Sequence, residues 1–88
     1  MTKQAIIDEI DKRTNSRYGS WHIGLTSDAD RQKGDCERDG ERTDFWMDWR
    51  ADSIDDAKEI EMRYVNRGMK HIQTGQLSGR GDAYIFIF

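Results

Sequence analysis

At 88 residues the chain has room for one hydrophobic core and reads as a single domain over residues 1–88. Hydrophobic and charged residues each make up 35%, which is polar for a globular protein, but three Trp, three Tyr and three Phe exclude a disordered segment. A net charge of -3 excludes a global basic footprint for nucleic acid and is too small to make the chain an acidic mimic of one.

Residues 2–14 predict a first helix, capped by Thr2, with Ile6, Ile7 and Ile10 as a narrow apolar stripe suited to lying on a sheet. From Tyr18 to Thr26 the period changes to two: Trp21, Ile23 and Leu25 alternate with Ser20, His22 and Gly24. Gly24 within that strand marks a bulge or a close approach to the backbone. Residues 27–33 suit a short helical turn capped by Ser27 or Asp28, and residues 34–43 an exposed charged turn whose Asp39-Gly40 pair is a hairpin signal.

Thr43 to Arg50 reads as a second strand, with Phe45, Met47 and Trp49 on one face and Trp46, Asp48 and Arg50 on the other. Ser53 to Arg67 is the clearest element. Ser53 and Asp56 form a capping-box-like start, Gly68 supplies the stop, and Ile54, Ala57, Ile60, Tyr64 and Val65 share a face with Glu61. Residues 68–82, with four glycines, predict a long loop, and the Arg80-Gly81-Asp82 triplet a tight turn at its end. Ala83 to Phe88 is apolar on both faces, as a central strand covered on both sides would be. The expected fold is α+β: a three-stranded, mainly antiparallel sheet with two main helices, in the order α-β-β-α-β.

The segment Trp21 to Arg31 resembles the second half of a GIY-YIG nuclease signature, and the likeness extends over residues 18–67. His22-Ile23-Gly24 matches the Tyr-Ile-Gly element, Thr26-Ser27-Asp28 the turn after it, and Glu61 the acid on a later helix. The chain departs from the pattern in three places. An N-terminal helix stands where the Gly-Ile-Tyr strand would be, with Tyr18 as a displaced substitute; His22 replaces the motif tyrosine; and Gln32 holds the usual arginine position, one residue after Arg31. The resemblance implies metal-assisted phosphodiester hydrolysis in nucleic-acid-associated biology, weakened or lost here by those departures. It assigns Glu61 to a divalent cation (Mg²⁺ or Mn²⁺), Arg31 to the phosphate, and Tyr18 or His22 to the attacking water.

The residues also have plainer readings. Glu61 pairs with Arg50 or Arg31 at the helix rim, Tyr18 and Tyr64 are core aromatics with wet hydroxyls, and Cys36, the only cysteine, is an incidental thiol that excludes an intramolecular disulfide. His71 is a further metal-ligand candidate beside His22 and Glu61. Arg31, Lys33, Trp46 and Arg50 are the nucleic-acid-binding candidates, since aromatics beside cations stack bases. The rival class is a protein-binding module or small inhibitor, with the acidic segments 28–44 and 52–61 and the glycine loop facing a larger protein. With no apolar run of about 18 residues and no leader pattern, the expectation is a cytoplasmic protein without a membrane partner, as a monomer or weak homodimer.

Overall fold

The computed structural model describes residues 1–72 and 82–88. Along the chain run α1 (Lys3–Thr14), a 3-10 turn (Tyr18–Ser20), β1 (His22–Thr26), α2 (Ala29–Arg38), β2 (Met47–Arg50), α3 (Ile54–Asn66), β3 (Lys70–His71) and β4 (Tyr84–Ile87). The strands form one mixed sheet in the order β2-β4-β1-β3. β4 lies antiparallel to both β1 and β2, and β3 parallel to β1. The α+β class stands, with four described strands in place of three and a third helix.

Alternation along β4 sorts the core into two parts. Ile85 and Ile87 join Ile6, Ile7 and Ile10 of α1, Ala57, Ile60 and Tyr64 of α3, and Ile23, Leu25 and Trp49 of the neighbouring strands. Phe86 and Phe88 turn to the opposite face, where Cys36 of α2 packs on them with Trp46 and Ile72 at the margin. The expected central strand is therefore present, buried on both sides by helices of different character.

The two main helices begin where their caps place them. Thr2 Oγ1 accepts from the Ala5 amide at 3.2 Å and Ser53 Oγ from the Asp56 amide at 3.1 Å. Gly68, at φ +113°, lets the chain leave α3 so that Met69 returns to the core.

Three expectations are corrected. Residues 29–38 form a full helix, not a short turn followed by a charged loop. Its N-cap is Asp28, whose side chain accepts from the Arg31 amide, and Thr26 Oγ1 fixes the turn before it by accepting from the Asp28 amide at 3.1 Å. Only Ala29 and Cys36 are buried along α2, so the helix shows almost no apolar period, and its place depends on the aromatic surface beneath it. Gly40, at φ +88°, follows this helix end and does not turn a hairpin. β3, finally, starts inside the stretch expected to be loop: Lys70 donates to the Trp21 carbonyl at 3.0 Å and Ile72 to that of Ile23 at 2.9 Å. The glycine-rich remainder of that stretch, residues 73–81, and with it most of the Arg80-Gly81-Asp82 triplet, lies outside the described residues.

Gly24 pairs with Phe86 across the β1–β4 ladder. A Cβ on Gly24 would stand 2.5 Å from Phe86 Cζ and 3.1 Å from the Ile72 carbonyl oxygen. Phe86 is fully buried and its ring has nowhere to move. Gly24→Ala is expected to lower stability by about 1–3 kcal/mol in urea titration. Adding Phe86→Leu should give a double variant more stable than the sum of the two single losses; strict additivity would show that ring and glycine are not in conflict.

Candidate functional site

The four residues assigned to catalysis by the resemblance fall into two layers separated by the sheet. Tyr18 and Glu61 belong to the α1/α3 side. The Tyr18 ring packs against Tyr64 with centroids 5.4 Å apart, and its hydroxyl donates to Asp11 Oδ1 at 3.0 Å. Tyr64 Oη stands 2.8 Å from the same oxygen and 3.1 Å from the Ile7 carbonyl. One hydroxyl hydrogen serves both acceptors, and the shorter contact to a carboxylate is the stronger. Burial first, then the neighbouring Asp11 carboxylate, pushes the Tyr64 phenol up from its ordinary value, keeping it a neutral donor. Asp11 thereby ties α1 to α3 and to the turn before β1.

Glu61, one helical turn before Tyr64, meets His71 of β3: Nε2 lies 3.3 Å from Glu61 Oε1. This, not Arg50 or Arg31, is its partner. Burial raises the Glu61 carboxyl above its ordinary range, and the charge and hydrogen bond of His71 oppose the shift. His22 and Arg31 belong to the α2 side. The His22 ring stacks on Phe88 at 4.7 Å and 8°. Arg31 is an exposed residue in the first turn of α2. Around Glu61, Mg²⁺ or Mn²⁺ would find one carboxylate already paired with an imidazole, whereas a hard cation takes oxygen donors. Among the described residues no group of three or more His, Cys, Asp or Glu side chains could hold a metal ion, and the set at Glu61 does not fit a resident divalent cation.

The nucleic-acid candidates share the α2 side. Trp46 lies flat on Phe86 at 4.7 Å and approaches Phe88 at 5.5 Å, while its Nε1 donates to Asp48 Oδ2 at 2.8 Å. Arg50 pairs with Asp82 at 2.6 Å. Lys33 is half-buried on α2. Acids crowd among these cations: the whole net charge of the chain falls between residues 28 and 50, the rest being balanced. Cys36 is buried under α2 and burial raises its thiol, which keeps it protonated and poorly reactive.

The sequence reading missed Phe45. Alternation placed it on one strand face with Met47 and Trp49, but β2 begins only at Met47 and Phe45 stands 77% exposed. It rims an open, mainly apolar groove of about 440 Å³ shared with Arg13, Trp21, Asp44, Trp46 and Met47. The groove sits where β1 and β2 begin and α1 ends, and β2 is an outer strand among the described residues. Comparison with protein-family models, with curated proteins and with solved structures finds no match. None of the helices among the described residues is long and apolar enough to cross a membrane.

Two measurements test these contacts. Tyr64→Phe removes the donor shared by Asp11 and Ile7 and is expected to cost roughly 1–3 kcal/mol in urea unfolding, because Asp11 Oδ1, still held by Tyr18, loses its shorter bond and the Ile7 carbonyl its contact. The raised Glu61 carboxyl makes ionisation harder in the folded than in the unfolded chain. Its contribution to stability is therefore full below the ordinary carboxyl value of 4.5 and declines as pH rises through the raised one. Across urea midpoints from pH 4 to pH 7, wild type should lose stability relative to Glu61→Gln. A constant difference would show that Glu61 titrates as if exposed.

Proposed function

We propose that this domain is a protein-binding module that engages its partner through the groove at Phe45 and the adjoining edge of β2. One observation carries the reading: a phenylalanine with three-quarters of its surface in solvent stands beside Trp21, Trp46 and Met47, at the start of a strand whose outer edge no described strand covers. Leaving that ring wet gains nothing for the fold, whereas aromatic residues and Met are enriched at the centres of protein interfaces. The acidic excess between residues 28 and 50 argues in the same direction, since a phosphate backbone would meet repulsion there. A nuclease-like site over residues 18–67 would need Tyr18 or His22, Arg31 and Glu61 in one cleft. Their division between two layers is the reason the groove is preferred as the working surface.

The test is a photo-crosslinking side chain (benzophenone) introduced at Phe45 in the expressing cell, with a second protein carrying it at exposed Arg38 as the comparison. Irradiation is expected to give adducts of discrete mass from position 45 only, unchanged by nuclease treatment. Adducts that collapse on nuclease digestion would move the reading to nucleic acid; no adducts at 45, or the same adducts from both positions, would end it. Phe45→Ser should change unfolding stability by no more than about 0.5 kcal/mol, as for an exposed residue, while abolishing the adduct-forming partner's retention on the immobilised domain.

A further inference from the structure

The groove adjoins a sheet edge, and the two together narrow the chemistry of the partner. Among the described residues β2 pairs with β4 and with no other strand. The ladder sets Met47 against Ile87 and Trp49 against Ile85, and Ala51 donates to the Ala83 carbonyl at 2.8 Å. Alternation then directs the peptide groups of Met47, Trp49 and Ala51 toward β4, and those of Asp48 and Arg50 outward. The N-terminal ammonium occupies the Arg50 carbonyl at 2.9 Å, held also by Asp52 at 3.2 Å. Among the described residues this leaves the peptide group of Asp48 as the open point of the edge, between Met1 and the groove.

The side chains along this stretch fix the sign of what can lie there. Asp48 shares the α2 side with Trp46, and a small polar hollow of about 230 Å³ joins Asp48 to Asp28, Asp30, Ser27 and Tyr84. Asp44 flanks the groove at the other end, where Arg13 also lines it but is paired with Glu9 at 3.8 Å, and Arg50 is engaged by Asp82. An incoming strand would thus meet aspartates opposite Asp48 and the Trp46 ring two residues along on the same face, at the rim of the groove that Trp21 and Met47 continue toward the α1/α3 side.

We infer that the β2 edge takes an extended cationic segment of a partner protein, added to the sheet as a fifth strand. Resting on the protein-binding reading above, this names its partner class. The segment hydrogen-bonds the Asp48 peptide group through its own backbone. It sets a Lys or Arg against Asp28, Asp30 and Asp48, and an aliphatic or aromatic residue two positions away in the groove at Phe45 and Trp46. Strand addition supplies affinity through the main chain and selectivity through alternate side chains. An edge of this kind, bordered by acids, rejects acidic strands and other copies of itself.

The probe is an acetylated, amidated octapeptide, Lys-Thr-Leu-Thr-Lys-Thr-Leu-Thr, titrated into the ¹⁵N-labelled full chain. Its controls replace both lysines with Glu, or methylate the backbone nitrogen of every second residue in either register. The Lys peptide is expected to shift the amides of Met47 to Arg50, to slow exchange of the Asp48 amide tenfold or more, and to bind at least tenfold more tightly than the Glu peptide. One of the two N-methylated forms should lose binding while the other keeps it, a comparison made on the unaltered protein. Asp48→Asn should weaken the Lys peptide without altering the far β3 edge. Equal binding of Lys, Glu and both N-methylated peptides would overturn strand addition yet leave the groove as a protein-binding surface. Silence toward every peptide, with crosslinks still forming at position 45, would do the same. Protection of Asp48 that rises with protein concentration alone would assign the edge to a second copy. No peptide binding together with no crosslinks would remove both readings.

Discussion

The fold depends on one four-residue strand being apolar in two directions. Tyr84 to Ile87 stands between β1 and β2, supplies both antiparallel ladders, and sends isoleucines to one helical layer and aromatic rings to the other. Each fully buried side chain of this size is worth roughly 1.5–3 kcal/mol relative to exposure, so β4 concentrates an unusual share of the stabilisation of a small domain. The two faces are not equivalent. Interdigitating isoleucines under α1 and α3 make a conventional core, whereas α2 rests on a plate of near-parallel rings, Trp46, Phe86 and Phe88, with interplanar angles between 7° and 14°.

That plate explains Gly24 and the position of Trp46. A ring lying flat over β1 requires a residue without a side chain beneath it, and the contact at Gly24 meets that need. The same plate continues outward to Trp46 and ends at the groove, so core and surface are joined by stacked aromatics. The packed Trp46 side of that groove is held by the core, and a surface already held in place loses less entropy when a partner settles on it.

The main helices and the central strand were legible because their signals are local. Thr2 and Ser53 cap, Gly68 stops, and the apolar spacings in α1 and α3 follow the helical period. Helix α2 was hidden because only Ala29 and Cys36 turn inward, and Gly34, Asp39 and Gly40 imitate a turn. β3 was hidden because two exposed residues carry no alternation at all. Among the candidate site residues, the apolar setting of Glu61 was legible, but its imidazole partner lies ten positions away across a tertiary contact. Phe45 was misjudged for a simple reason: extending a true alternation two residues ahead of the start of β2 assigns an exposed ring to the strand face of Met47 and Trp49.

The sheet order also bears on how the chain is made. The strand joining β1 to β2 lies some sixty residues after the first and more than thirty after the second. A ribosome delivering the protein from its N-terminus therefore releases α1 through α3 while β2 has no hydrogen-bonded neighbour in the sheet. For that interval the isoleucine face and the underside of α2 have only each other's loose coverage, and cooperative closure waits for residues 84–87 to clear the exit tunnel. A pause in translation shortly before residues 84–87 lengthens that interval and the exposure of both apolar faces.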